Sequence, residues 1–350
     1  RRERDRRGRD GAIGGEADGS LEAATLIPRY ASQGEDGSVF RPAESQLMQG
    51  LRAVGHQPIQ SPLLFQGGNL MAVRHPANGQ RTLLVGEAEL YRNVALGLTR
   101  EQVLEAFRVE FGVDTCVVLP AVSHHLDLDV SVRAQNGELI AFVNDARAAM
   151  KLILERGLEA LEKHGSLTSS EAQSAREGLK AGDAGGVQRL LSEALRKARG
   201  RADRLPAALS ARFASGNTDS PVDNVQCFLA ALDLLGSTVP RPADSPSGES
   251  ARAYFTVLRE LDLALSKQRE VLQKLGWKIV PVPSLPDLYR NINYLNGVHD
   301  RTRFIMPAYG GFYAVLDQAA TQVIKQAVGP KVQVIPIFCA ASQRHHGGVH

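Results

Sequence analysis

His125, Asp127 and Asp129 alternate with leucines in the stretch Ser123-His124-His125-Leu126-Asp127-Leu128-Asp129. Read as an extended segment, this alternation puts the imidazole and both carboxylates on one face, because successive side chains of a strand point to opposite sides. An imidazole beside two carboxylates can move protons and hold a cation, and burying such a face without a purpose is costly. The same pattern also describes an ordinary half-buried strand whose His and Asp face water. No third ligand cluster of suitable spacing accompanies it, so the spacing does not build a metal site.

Three other stretches carry polar groups in unusual settings. Gln66-Gly67-Gly68-Asn69 sits between two apolar runs, where paired glycines imply a bulge or a close backbone approach, often to a ligand. The spacing is not that of a dinucleotide loop, and no helix pattern follows. Tyr289-Arg290-Asn291-Ile292-Asn293-Tyr294-Leu295-Asn296-Gly297 is rich in asparagine, which serves turns as readily as ligands. The chain closes on QRHHGGVH, residues 343 to 350, which no helix cap or polar tail explains. The three cysteines, Cys116, Cys227 and Cys339, are far apart and odd in number, which excludes a disulfide scaffold or a CxxC zinc framework. Cys116 and Cys339 lie inside apolar runs (DTCVVLP and VIPIFCAA) and read as buried structural thiols rather than nucleophiles.

The elements that must hold these residues fall into three zones. From Leu63 to Asn144 the runs LLFQGGNLMAV, RTLLVG, TCVVLP, LDLDVSVRA and ELIAFVN are of β type. Asn78-Gly79 marks a hairpin between the first two. One helix, TREQVLEAFRVEFG, interrupts them, with Thr99 as N-cap and Gly112 at its end. From Asp145 to Gly276 apolar residues recur at three and four spacing, as in ARAAMKLILERGLEALEKHG, VQRLLSEALRKARG, VQCFLAALDLLG and ARAYFTVLRELDLALSKQREVLQKLG. VPRPADSPSGES reads as a loop within that zone. From Trp277 onward WKIVPVP, RTRFIMPAYGG and KVQVIPIF read as strands, with the helix YAVLDQAATQVIKQAVG before the last. The order strand, strand, helix, strand thus recurs on both sides of a helical insertion.

Composition narrows the partners. At 350 residues and 43% hydrophobic, the chain can bury a large core. Its 41 basic and 38 acidic residues leave a net charge of only +3, and the one dense basic run, RRERDRRGRD, is interrupted by acids. That excludes a nucleic-acid footprint and leaves a solvated terminal arm. No apolar run approaches the length of a membrane span, so a soluble protein, cytoplasmic by default, is expected.

Taken together, an HxD ahead of a helical stretch, an N-x-x-N-G before RFIMPAYGG and a closing GGVH resemble the guanidine-modifying enzymes of the pentein superfamily. Across residues 63 to 150 and 250 to 350 the chain most resembles the C-terminal catalytic domain of protein-arginine deiminases. The resemblance implies an α/β fold of pentein type, with ββαβ units in an α/β propeller around a pseudo-fivefold axis. Only about three units are traceable here, so an incomplete propeller with a helical insertion is expected. Its division would be an N-terminal arm with a partial unit (1–62), units carrying QGGN and HLD (63–150), the helical insertion (151–270) and a C-terminal unit (271–350).

By the same resemblance His125 is the general acid/base and Asp127 a carboxylate that holds a guanidinium. Asp10, in Arg9-Asp10-Gly11, is the candidate second carboxylate; Gln66, Asn69, Asn296 and Arg303 are candidate substrate-binding residues. Gly67-Gly68-Asn69 departs from the GGD of several branches, which counts against free-arginine deiminases and dimethylargininases. In this superfamily the equivalent of GGVH precedes the nucleophilic cysteine, so the nucleophile is expected just beyond His350 and the 350 residues themselves are expected to be inactive. The implied reaction converts arginine in a protein or peptide to citrulline and ammonia. The alternatives are an agmatine deiminase, an amidinotransferase, or a non-catalytic pentein used for binding. No cofactor is required by the sequence; calcium enters only through likeness to the animal protein-arginine deiminases, since the acids form no EF-hand loop.

Overall fold

Every buried strand must find partners for its backbone groups, and here one pairing plan is used three times. The structure, a computed structural model, describes residues 25–29, 41–120, 122–123, 125–181, 183–199, 249–285 and 292–339. The chain divides into two compact units, Arg1–Leu64 and Phe65–His350. In the first, β1 (Thr25–Ile27) and β2 (Pro58–Gln60) pair in parallel, with helix α1 (Arg41–Ala53) in the connection.

The second unit holds three sheets of three strands each. In the first sheet β3 (Leu70–Arg74) runs antiparallel to β4 (Arg81–Gly86), and β5 (Thr115–Leu119) returns parallel to β4. Helices α2 (Glu87–Val94) and α3 (Arg100–Glu110) make the crossover. The second sheet repeats the plan with β6 (Val130–Gln135), β7 (Glu138–Asp145) and β8 (Lys278–Pro283). Its crossover is far longer and contains α4 (Ala146–Lys163), α5 (Ser169–Ala181), α6 (Ala184–Arg199) and α7 (Glu249–Lys274). The third sheet is β9 (Val298–His299), β10 (Arg303–Ala308) and β11 (Gln333–Phe338), with α8 (Ala314–Val328) before the last strand.

This arrangement sharpens the sequence expectation in two places. The helical stretch is not a spacer between units; it is the crossover of the middle one. WKIVPVP, expected to open the last unit, supplies β8 and pairs with β7, while the two-residue β9 opens the last sheet. The architecture is thus mixed α/β with small sheets, none of them closed among the described residues.

The central strands show why the plan holds. β4 and β7 are almost wholly buried, as expected of strands covered on both faces, and each is flanked by a partner on either edge. Two hairpins set register: Gly79 (φ +73°) closes β3–β4, and Asn136 (φ +50°) with Gly137 (φ +84°) closes β6–β7. In the second, Asn-Gly at positive φ supplies the twist that a two-residue turn needs, whereas the first spans the six residues between Arg74 and Arg81. Thr99 caps α3 in a full capping box: its hydroxyl accepts from the Gln102 amide, and the Gln102 side chain accepts from the Thr99 amide at 2.8 Å. The largest core joins α4, α8 and the second and third sheets, with Phe142 packed edge-on against Phe304 at 5.4 Å. A second core, from Leu84, Leu119, Leu126, Val130, Ala141, Val143, Leu272 and Trp277, lies around the turn that carries His125. Each fully buried aliphatic side chain contributes about 1.5–3 kcal/mol relative to exposure.

Candidate active site

Two 3-10 turns precede the first strands of adjacent sheets: Gly67–Asn69 before β3 and Leu126–Leu128 before β6. The second turn corrects the expectation of a strand through residues 126 to 129. With about three residues per turn, His125, Asp127 and Asp129 do not share a face by alternation. His125 and Asp127 nevertheless meet: a Cβ at Gly68 would stand 2.8 Å from Cγ and Nδ1 of His125 and 3.1 Å from Oδ2 of Asp127. Both side chains therefore pack over the bare backbone of Gly68. The paired glycines form a helical turn rather than a strand bulge, and they do bring about a close approach, to the imidazole. Asp129 turns away and is buried.

The turn bearing the pair is fastened by side-chain amides from the turn before β3, from β7 and from the segment ahead of β9. Asn69 Oδ1 accepts from the Leu126 amide at 2.9 Å. At the other end of the turn the Leu128 carbonyl accepts from Asn144 Nδ2 at 2.9 Å and from Asn293 Nδ2. Asn144 closes β7, and its Oδ1 accepts from the Ser284 hydroxyl at 2.5 Å. Asn293 lies ahead of β9, where its Oδ1 accepts from the amides of Leu295 and Asn296. All three asparagines are buried, and buried amides used as partners for orphan backbone groups fix conformation strongly.

Behind Asn69 stands a buried acid. Asn69 Nδ2 donates to Glu89 Oε1 at 2.7 Å, and Arg92, one turn along α2, lies 3.8 Å from the other carboxylate oxygen. Burial raises the Glu89 pKa above the usual carboxylate value, opposed by Arg92 and by the Asn69 bond. The His125 pKa is lowered, first by burial and then by the Arg92 charge. A neutral imidazole over Gly68 is the consequence, able to take a proton and, once charged, a stronger acid than an ordinary histidine.

The remaining candidates are distributed unevenly. Gln66 precedes the glycine turn, and its Oε1 lies 3.5 Å from Asn69 Nδ2. Asn296 is buried and donates its backbone amide to Asn293, and its Oδ1 has no hydrogen-bond partner among the described residues. It belongs to the same stretch as Asn293 and so stands one link from the Leu128 carbonyl. Arg303 is exposed at the start of β10 and is bound in two places by Asp300, Nε at 2.9 Å and Nη2 at 2.6 Å. No contact joins it to His125 or Asp127. Asp10, Cys227, His345, His346 and the closing GGVH lie outside the described residues. Cys116 lies within β5, where burial pushes its thiol up to about 11; Cys339 is buried just past β11.

Sequence reasoning missed Glu89, Arg92 and Asn144 as parts of the site, and it marked the stretch of Asn293 without giving that residue a role. Asn144 had a signal, a lone amide at the end of the apolar run ELIAFV; Glu89 and Arg92 had none beyond a short helix pattern. Among the described residues no three His, Cys, Asp or Glu side chains are grouped to hold a metal ion. No described helix is long and apolar enough to cross a membrane.

No family model and no curated protein matches the chain. Among solved structures it is similar to a provisionally assigned agmatine deiminase, at 12% identity and a TM-score of 0.48, over 93% of this chain and 67% of that one.

Proposed function

We propose that this chain carries the acid/base and guanidinium-holding part of a guanidino-group hydrolase site. The observation that supports it is the meeting of His125 and Asp127 over Gly68, on a turn fastened by Asn69, Asn144 and Asn293. A guanidinium is a planar, delocalised cation and a poor electrophile. A carboxylate accepting its N–H groups fixes the plane and the charge, which is the role assigned to Asp127. Asp10 is the proposed second carboxylate.

The chemistry then runs through a thiol. Neutral His125 takes the thiol proton, and the thiolate attacks the central guanidinium carbon. The resulting imidazolium returns that proton to a departing nitrogen, which leaves as ammonia, and a thiouronium remains on sulfur. His125 next removes a proton from water, hydroxide adds to the same carbon, and the adduct collapses to the ureido C=O as the sulfur leaves, its hydroxyl proton passing to the departing thiolate to restore the thiol. This reading requires a cysteine thiol and assigns that role to neither Cys116 nor Cys339. The substrate proposed first is arginine within a protein or peptide; agmatine or another small guanidine is the alternative, and an amine in place of water would make the reaction an amidino transfer.

The full-length protein should release ammonia and form a ureido product from at least one of an arginine-containing peptide, free arginine and agmatine, assayed with and without calcium. His125→Ala should lower that rate by about 100-fold or more. Turnover of none of the three would remove the hydrolase reading, and unchanged turnover in His125→Ala would remove its proposed acid/base.

A further inference from the structure

The reaction proposed above leaves one buried carboxyl unused. Asp129 closes the turn that begins at His125, and its side chain faces Ser123 and Gln268. Ser123 Oγ lies 2.8 Å from the His125 carbonyl oxygen and 2.8 Å from Asp129 Oδ1. A hydroxyl has one hydrogen. The carbonyl can only accept, so Ser123 must donate there if that contact is a hydrogen bond, and a hydrogen for the second contact has to come from Asp129.

The other carboxyl oxygen says where that hydrogen sits. Asp129 Oδ2 accepts from the Ser123 amide at 3.1 Å and faces Gln268 Nε2 at 3.4 Å. The orientation of Gln268 is fixed because the same Nε2 donates to the Pro120 carbonyl at 2.8 Å; a flipped amide would set oxygen against oxygen. With donors at Oδ2, the acid hydrogen belongs on Oδ1, pointing at Ser123.

We infer that Asp129 is held as a neutral carboxylic acid whose O–H donates to Ser123, which in turn donates to the His125 carbonyl and fixes the peptide that carries the acid/base. Asp129 and Ser123 are then positioning residues. Ionising Asp129 would redirect the Ser123 hydrogen to the charged oxygen, the stronger acceptor, and free the His125 carbonyl from it. The surroundings agree with the neutral form. Burial pushes the Asp129 carboxyl up to about 7, and the Asp127 charge on the same turn adds to the effect. The element packed from outside, α7, offers the uncharged amide of Gln268, while its neighbour Arg269 is turned to Asp145 at 3.8 Å. No cation compensates a charge on Asp129 among the described residues.

The inference rests on the proposed role of His125 but is tested apart from it. The full-length protein, labelled with ¹³C at aspartate carboxyls, should show Asp129 titrating near neutrality; titration near an ordinary aspartate value, about 4, overturns the inference. Asp129→Asn keeps an N–H donor towards Ser123 and acceptors for the other two groups. Because the folded carboxyl binds its proton more tightly than the unfolded one, wild-type stability should fall as pH rises from about 4 to about 8 relative to Asp129→Asn. Parallel urea-unfolding profiles would likewise overturn it. If the protein hydrolyses a guanidine, the kcat of Asp129→Asn relative to wild type should rise about tenfold over the same range, with KM unchanged. Absence of turnover in every variant counts against the hydrolase reading alone, since the carboxyl titration still decides the state of Asp129.

Discussion

The side-chain carbonyl of Asn69 accepts the Leu126 amide at 2.9 Å, so the turn before one sheet holds the turn before the next. The same amide group donates to buried Glu89. Asn69→Leu preserves size and removes all of these bonds at once. Leaving the Leu126 N–H and the Glu89 carboxylate without them should lower stability by about 2–4 kcal/mol, read from urea unfolding at neutral pH. Because Glu89 would be left a poorly paired buried acid, the loss should shrink at acidic pH, where it takes up its proton.

Gly68 is the surface on which His125 rests. In Gly68→Ala the new methyl group would stand 2.8 Å from the ring carbon Cγ, and the nearest atoms are the root of a ring rather than the tip of a flexible chain. Overpacking of this kind costs about 1–3 kcal/mol. The expected result is a folded protein in which the ring is displaced and guanidine turnover falls by about 100-fold. Equal activity in Gly68→Ala and wild type would show that the close approach has no bearing on chemistry.

Arg92 tunes the histidine. Its charge lowers the His125 pKa, adding to the larger effect of burial. Arg92→Ala should therefore raise that pKa, visible as a shift to higher pH of the midpoint at which the His125 ring resonance titrates by NMR. A lowered folded-state pKa means the unfolded chain binds this proton more tightly, so the stability contributed by the neutral ring is fully present above the unfolded value and is lost as pH falls from there through the folded value. Arg92→Ala should weaken that acid sensitivity.

Cys116 tests the placement of the nucleophile. Burial holds its thiol near 11, so fewer than about one molecule in a thousand carries the thiolate at pH 7.5. Alkylation followed by mass spectrometry should be slow there and quicken with each unit of pH. Cys116→Ser should keep full guanidine turnover; loss of turnover in that variant would mean the thiol has been misplaced.

Much of the scaffold could be read before the coordinates. β4 and β7 announced themselves as unbroken apolar runs, and the capping box at Thr99 and the hairpin at Asn78-Gly79 follow from local chemistry that no distant contact overrides. The pairing of β8 with β7 was not legible, because parallel strands leave no pattern that names the partner across a long crossover. β9, two residues long, is too short to show alternation. At the site, the sequence marked His125 and Asp127 for the same neighbourhood, though a 3-10 turn and the absence of a side chain at Gly68 bring them there. Asp129 went the other way because its angle is set by the turn and by Gln268, more than a hundred residues later in the chain.

The crossover between β7 and β8 also governs the order in which the molecule can assemble on the ribosome. β7 leaves the exit tunnel some 130 residues before the strand that completes its sheet, an interval on the order of ten seconds at ordinary rates of translation. During that time the nascent chain has α4, α5 and α6 with which to cover one face of β7, while the edge awaiting β8 stays open to any passing strand. The turn with His125 and Asp127 precedes β7, yet Gln268 arrives only near the end of the wait, and Ser284 and Asn293 after it. Acid/base geometry is therefore among the last features to form, and a nascent chain stalled within the crossover would display the fold's middle strand without its site.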